Sequence, residues 1–305
     1  MKSVLVTGAT GFIGSRLVSE LVEKNYSVST LIRPGKHTDV KTDEITGDLT
    51  DSNLNFEGKN FDCVFHLASC TPLEKNSKVL ENVNLKGTKN LFEAINGKTK
   101  SITYISGLGV FGEPRDKVID ETYPRNPNTK FVSIRLEAEK YLEKKCKENG
   151  IDFSVVYFGD VYGSKGWFYD IIVKRLENKS FRLPAGGKYF KGFVNVDDAV
   201  GSMMAVFEKH AFGESFIVAD SEPALFKDFV NFTADQIGAK HPGNVPAFLA
   251  KAVLGSDLVK LLTTSMKVTN KKISEIYSFK YPSYKDGIPK VISEIKENKS
   301  LSQKK

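Results

Sequence analysis

Cysteine is scarce in this 305-residue chain: Cys63, Cys70 and Cys146 are the only three, with no C-x-x-C pair and no histidine at metal-ligand spacing. An odd, scattered count argues against a disulfide framework and fits a reducing, cytoplasmic setting. No apolar run approaches the ~20 residues of a membrane span, and the strand-like segment after Met1-Lys2-Ser3 is too short for an export signal. A G-x-S-x-G elbow and a Walker loop are both missing, and His37, His66, His210 and His241 are scattered. Hydrolase, kinase and metal-centre readings therefore fall away, and no metal is expected.

Acidic residues fall slightly short of basic ones, 37 Asp plus Glu against 44 Lys plus Arg, for a net charge of +7. Most of the excess lies from Lys271 to Lys305, where nine lysines face Glu275, Asp286, Glu294 and Glu297. No aromatic residues alternate with the final lysines, so neither nucleic acid nor a membrane is an expected partner. A chain with 40% hydrophobic and 27% charged residues has the composition of a globular protein with a sizeable core.

What is present is an alternation. Val4 to Thr7, Val28 to Ile32, Cys63 to Leu67, Ile102 to Ser106 and Phe153 to Tyr157 are short apolar runs that read as buried strands. Between the first two, Ile13, Leu17 and Leu21 recur every fourth residue beside Val18 and Val22, one apolar helical stripe. Similar helices are expected over Asn84 to Ile95 and Lys130 to Glu148. Strand and helix in turn predict an α/β fold, a Rossmann-type doubly wound parallel sheet. Beyond Gly163 the alternation lapses, and a smaller, mainly helical substrate lobe is expected. The division predicted is 1–162 for dinucleotide binding and 163–305 for the substrate lobe, with 190–220 returning to the first domain.

The segment Thr7-Gly8-Ala9-Thr10-Gly11-Phe12-Ile13-Gly14 joins the first strand to the first helix. Gly8 suits the turn, Gly11 a close backbone approach to a pyrophosphate and Gly14 tight helix packing, while the helix N-terminus offers N–H groups. A dinucleotide is the expected ligand. At the end of the second strand Leu31-Ile32-Arg33-Pro34-Gly35-Lys36 carries no acid to hold ribose hydroxyls. Arg33 could clamp a 2′-phosphate, which favours NADP(H) and leaves NAD(H) possible; a solvated surface arginine is the plainer alternative.

From here the chain resembles the extended short-chain dehydrogenase/reductase family, the NAD-dependent epimerase/dehydratase group, over roughly Lys2 to Ile292. The landmarks follow in order. After TGATGFIG come Gly47-Asp48-Leu49, similar to an adenine-contacting acidic turn, and Val64-Phe65-His66-Leu67-Ala68, similar to the fourth-strand cofactor segment that continues into Ser69. Asn84-Leu85-Lys86-Gly87-Thr88, Val110-Phe111-Gly112, Val161-Tyr162-Gly163 and Val194-Asn195-Val196-Asp197-Asp198 complete the series. The resemblance implies cofactor contacts from Gly8, Thr10, Gly11, Phe12, Ile13, Gly14, Arg33, Asp48, Leu49, Leu67, Ala68 and Ser69. It also implies a homodimer built on helices 84–95 and 130–148.

The active centre departs from that pattern. The family's Tyr general acid, its Lys four residues on and its Ser or Thr fall at Phe131, Arg135 and Gly107 when the helix is aligned on Ala138-Glu139. Tyr141/Lys145 and Tyr281/Lys285 keep the spacing by accident, since Tyr141 stands about 15 Å further along the helix and Tyr281 precedes a proline. Tyr123 lies in a loop. Losing a positioned proton donor costs ~10²–10⁴-fold in rate, whereas Arg135 retains a charge and donors able to hold ribose hydroxyls. Ser106, Tyr162 and Arg135 are therefore the candidate catalytic residues, with His66, Asp160, Lys165 and Tyr189 as weaker candidates for a proton group. Trp167, Phe168, Tyr189 and Phe190 could line an apolar pocket or simply form core. The expectation is an NADP(H)-binding, epimerase/dehydratase-like oxidoreductase with a non-standard acid/base, acting on a small carbonyl, hydroxyl or nucleotide-sugar substrate. The alternative is a non-catalytic NADP(H)-binding regulator or assembly protein of the same superfamily.

Overall fold

A computed structural model describes residues 1–302 of the chain. The chain forms two compact units. The first comprises Met1–Phe111, Pro124–Tyr157 and Val200–Phe216, the second Gly112–Tyr123, Phe158–Ala199 and the described residues from Ile217 onward. The segment returning to the first unit is thus shorter than 190–220, and Gly112–Tyr123 belongs with the second. The physical reason for the latter is pairing: Val118–Ile119 runs parallel to Lys267–Val268.

The first unit is built on a seven-stranded sheet of β1 (Ser3–Thr7), β2 (Ser27–Ile32), β3 (Asp43–Thr46), β4 (Cys63–His66), β5 (Ser101–Gly107), β6 (Asp152–Phe158) and β7 (Ser215–Val218). Its order is β7-β6-β5-β4-β1-β2-β3, the doubly wound α/β arrangement expected. From β5 through β4, β1 and β2 to β3 every pairing is parallel. Val4, Leu5, Val6, Cys63, Val64 and Phe65 are completely buried, as strands covered on both faces must be. The sequence pattern missed β3, whose residues Asp-Glu-Ile-Thr carry no apolar run.

Helix α1 (Phe12–Glu23) buries Gly14, Leu17, Val18 and Leu21, the predicted stripe. The helix expected over Asn84 to Ile95 divides into a π-helical stretch, Glu81–Lys86, and α2 (Gly87–Ile95). Helix α3 (Lys130–Asn149) begins where the Thr129 side chain accepts the Val132 N–H and ends at Gly150 in the left-handed conformation, start and stop signals that side-chain and backbone chemistry supply.

In the second unit, helices 226–236 and 284–302 surround an aromatic core in which Phe193 and Phe229 stack with ring centres 3.9 Å apart. Helices predominate in this unit, as expected, and short strands pair beside them as 193–195 with 160–162, 190–191 with 224–225, and 243–245 with 182–184.

Candidate dinucleotide site and active centre

Parallel register brings the predicted cofactor residues to one edge. Thr7 of β1 lies opposite Leu31 of β2 on one side and His66 of β4 on the other, and Ile32 lies opposite Thr46 of β3. The loop Gly8 to Gly14 leaves β1, Arg33 leaves β2, Asp48 and Leu49 follow β3, and Leu67-Ala68-Ser69 leaves β4. β1 and β4 are the strands between which the chain reverses its winding, where parallel α/β sheets open a crevice at their carboxyl ends.

The loop itself is fitted to backbone. Gly8 has φ +72°, and a Cβ there would lie 2.8 Å from the Ala68 nitrogen. A Cβ on Gly14 would collide with the Gly8 carbonyl oxygen. Gly11 donates its N–H to that same carbonyl at 2.9 Å. No side chain caps α1, and no acid occupies its first turn, so its N–H groups and positive end remain available to an anion. A dinucleotide pyrophosphate fits this cradle.

Asp48 is committed locally. Its carboxylate accepts the Thr50 N–H at 2.8 Å and the Thr50 hydroxyl at 2.7 Å, bonds that hold its pKa below the usual carboxylate range, with the Arg33 charge assisting. Leu49 is buried, and its carbonyl accepts the Asn90 amide at 2.9 Å. Arg33 is exposed beyond β2. Glu44 of β3 is occupied by the Thr38 N–H and hydroxyl and by His37.

His66 is held too firmly to serve as a free base. Its Nδ1 lies 2.8 Å from the Thr7 hydroxyl and its Nε2 lies 2.9 Å from the Thr88 hydroxyl. The single Thr88 hydroxyl proton is spent on the Asn84 carbonyl at 2.7 Å. Nε2 must therefore carry the imidazole proton and Nδ1 must accept from Thr7. Burial, with the nearby Arg135 charge in support, pushes the His66 pKa down to about 3. Thr7, Thr88 and Asn84 were missed as site residues; threonines at a strand end and a helix start were the available signal.

Ser106 and Arg135 come together in the first unit. Arg135 donates to the carbonyl of Ile105, the residue before Ser106, and its guanidinium lies over the Tyr104 ring. Ser106 is buried, and its hydroxyl has no hydrogen-bond partner. Phe131 lies one helical turn before Arg135 on α3, and Gly107 ends β5. A cation and a hydroxyl with unused bonding capacity thus occupy this edge of β5 and α3, with a phenylalanine at position 131 and the one phenol beside them, Tyr104, donating to the Arg135 carbonyl at 3.4 Å. Helix α3 is anchored behind them by the buried carboxylate of Glu139, which accepts from Tyr157 and Arg125, both at 2.6 Å.

Tyr162 belongs to the second unit, fully buried against Phe168 and Phe229. Its hydroxyl has no hydrogen-bond partner, and burial followed by the Asp220 and Asp198 charges pushes its pKa above the ordinary phenol value. Among the weaker candidates, Asp160 faces Lys191 at 3.7 Å, Tyr189 stacks on Phe226, and the Trp167 indole donates to the Val161 carbonyl at 2.6 Å. Phe168 is core. Among the described residues no cluster of three or more His, Cys, Asp or Glu is disposed to hold a metal, and no helix is long and apolar enough to cross a membrane.

Comparison with known proteins adds to this geometry. The model of the NAD dependent epimerase/dehydratase family matches residues 4–219. A putative UDP-glucose 4-epimerase of Methanocaldococcus jannaschii is 29% identical over 222 residues, 67% of this chain and 73% of that protein. Two solved structures share the fold. The UDP-glucose 4-epimerase of Thermotoga maritima, crystallised with UDP-glucose, has a TM-score of 0.84 at 21% identity and covers 97% of this chain and 99% of its own. The human epimerase family protein SDR39U1 with NADPH has a TM-score of 0.81 at 19% identity, covering 95% and 99%.

Proposed function

Because the chain belongs to the NAD dependent epimerase/dehydratase family, we propose that it is an NADP(H)-binding oxidoreductase acting on a nucleotide sugar or a related small hydroxyl or carbonyl compound. The observation that carries the reading is the cradle at Gly8 to Gly14, closed to any side chain at Gly14 and facing an uncapped helix end. The bound nicotinamide supplies hydride transfer to or from a substrate carbon. In this reading the loop amides hold the pyrophosphate and Arg33 pairs with the 2′-phosphate, selecting NADP(H) over NAD(H).

Gly8, Thr10, Gly11, Phe12, Ile13 and Gly14 form the phosphate side of the site; Asp48, Leu49, Leu67, Ala68 and Ser69 form the nucleoside side. Arg135, fixed on the Ile105 carbonyl, donates to ribose hydroxyls or to a developing oxyanion. Ser106 directs its free hydroxyl at the substrate oxygen. With Phe131 in place of a phenol, proton transfer has to come from Ser106 or from solvent positioned by Arg135, and turnover is slow. Tyr162 takes no part. The protein works as a homodimer through α2 and α3, in the cytoplasm.

A second reading is favoured by Phe131 alone: with no ionisable group at that position, the protein binds NADP(H) without turnover, as a regulator or assembly protein. Titration of NADPH and NADH, followed by single-turnover mixing of bound NADP⁺ or NADPH with UDP-glucose, UDP-galactose and a carbonyl panel, separates the readings. Tighter NADPH binding and any change in cofactor oxidation state or sugar configuration support the enzyme. Equal or tighter NADH binding removes the role of Arg33, and an unchanged cofactor and sugar across the panel leave the regulator.

A further inference from the structure

The feature that neither the sheet nor the proposed chemistry uses is a pair of short helices in the second unit, α4 (Ala247–Leu254) and α5 (Ser256–Thr263), joined at Gly255 with φ +89°. Four of the nine large hydrophobic side chains exposed among the described residues lie on them: Phe248 at 69%, Leu249 at 47%, Val253 at 75% and Leu262 at 39%. The sequence of α4, Ala-Phe-Leu-Ala-Lys-Ala-Val-Leu, has one polar residue, Lys251. A helix apolar on every side is ordinarily covered on every side, yet only Ala250 of α4 is buried. At 3.6 residues per turn, Phe248, Ala252, Leu249 and Val253 span a continuous outward arc of about 140°. Lys251 lies on one flank of that arc.

We propose that α4 and α5 dock on an anionic lipid surface, with Phe248, Leu249, Val253 and Leu262 entering the headgroup boundary and Lys251 and Lys260 meeting the lipid phosphates. Three observations choose this occupant. First, the patch is built from aliphatic residues, one phenylalanine and lysines, the chemistry of interfacial helices. Residues 247–263 contain no Trp, Tyr or Arg, the residues that anchor protein–protein contacts, where lysine is depleted. Second, Lys240, Lys251 and Lys260 are exposed along this stretch and Asp257 is its only acid, which is complementary to a negative surface. Third, a second copy of the same face would gather four lysines, Lys251 and Lys260 of each copy, against two Asp257 carboxylates, so self-pairing is electrostatically opposed. Four side chains and a few lysines give reversible attachment and not insertion.

The inference is independent of the cofactor chemistry, and its test needs no cofactor. The full chain is floated with phosphatidylcholine vesicles and with vesicles containing about one third phosphatidylglycerol. The expected result is capture by the anionic vesicles at low salt, release at 0.5 M salt, and several-fold less capture by neutral vesicles. Lys251→Gln and Lys260→Gln should each weaken capture about fivefold, and Phe248→Asp with Val253→Asp should abolish it without changing thermal unfolding. As a second measurement, a polarity-sensitive dye on Val253→Cys in a Cys70→Ser background should shift to the blue on adding anionic vesicles. A folded chain that floats with neither vesicle overturns the proposal. So does capture that survives the double aspartate variant, a dye signal that stays unchanged, or a concentration-dependent dimer abolished by that variant in place of vesicle binding.

Discussion

The Arg135 guanidinium lies 5.5 Å from the centre of the Tyr104 ring, so the cation at the edge of β5 is held by an aromatic face as well as by the Ile105 carbonyl. Arg135→Met keeps the length of the side chain and removes the charge. Charge-assisted hydrogen bonds contribute about 1.5–3 kcal/mol, so NADPH affinity should fall roughly tenfold or more while far-ultraviolet circular dichroism stays unchanged. Arg135→Lys should lose less, because a point charge remains. Fluorescence titration of bound NADPH reads both.

Gly14→Ala is a one-methyl test of the cradle. The new Cβ would strike the Gly8 carbonyl, which is backbone and cannot swing aside. The expected outcome is NADPH binding below detection by calorimetry, with a lowered melting temperature. Gly35→Ala is not an equivalent control, because Gly35 has φ +75° and strain would enter by itself. Ala substitution of exposed Glu23, at the other end of α1, is the milder comparison, and should retain binding.

Tyr162 separates packing from proton transfer. Its hydroxyl is buried without a partner, so Tyr162→Phe removes a desolvated group and should leave stability equal or slightly raised, with any turnover unchanged. Gly287→Ala places a Cβ against that hydroxyl and should destabilise by about 1–3 kcal/mol. The double variant should recover part of the loss, since the phenol oxygen is then gone. Chemical denaturation of all three proteins reads the coupling.

Two buried groups give the pH dependence of stability opposite slopes. His66 has a folded pKa near 3 against about 6.5 unfolded. Between those values the unfolded chain takes the proton, and stability falls as pH falls. For Asp220, burial raises the pKa to about 8, with the Tyr284 amide pulling the other way and the Asp198 and Asp286 charges adding to the rise. There the folded chain keeps the proton above the unfolded pKa of about 3.9, so stability is present at low pH and lost as pH rises toward 8. Each contributes about 1.4 kcal/mol per pH unit in its window. The slopes oppose one another from about pH 4 to 6.5, and Asp220 acts alone from there to 8. Asp220→Asn should therefore flatten the decline between pH 6.5 and 8, as measured by urea midpoints.

Glu139 should be the costliest polar residue to remove from α3. Without its carboxylate the buried Tyr157 hydroxyl and the partly exposed Arg125 guanidinium lose a shared acceptor. Glu139→Leu should cost about 2–4 kcal/mol, and Tyr157→Phe about 1 kcal/mol. Combined, they should cost less than their sum, because the two bonds end on one atom.

The sheet and the glycine cradle were legible because they rest on local chemistry. Apolar runs marked β1, β2, β4, β5 and β6 within a residue at most boundaries, and three glycines can do together what no other residues can. β3 escaped because Asp43–Thr46 takes its place by pairing with β2, not by its own hydrophobicity. The partners of His66 escaped for a related reason: Thr7 and Thr88 meet the ring only after two parallel strands and a helix are placed. Arg125 is separated from Glu139 by a helix start, and no periodic pattern joins them. The exposure of Phe248 and Val253 was invisible in principle, since an apolar helix reads as core until its surroundings are known.

The Ala68 N–H donates to the Thr7 hydroxyl at 3.2 Å. With the His66 tautomer assigned, the row Ala68, Thr7, His66, Thr88, Asn84 then has every donor pointing the same way, from an amide beyond β4 to a carbonyl in the π-helical turn. Such a row is polar along its length, and each bond strengthens its neighbour. It also cannot run backwards, because it starts at a group that can only give a proton and ends at one that can only accept. Thr88→Val would therefore do more than delete one hydroxyl. It would leave an imidazole N–H facing a methyl group, or drive the ring to its other tautomer, with Nδ1 donating to a Thr7 oxygen that already accepts the Ala68 N–H.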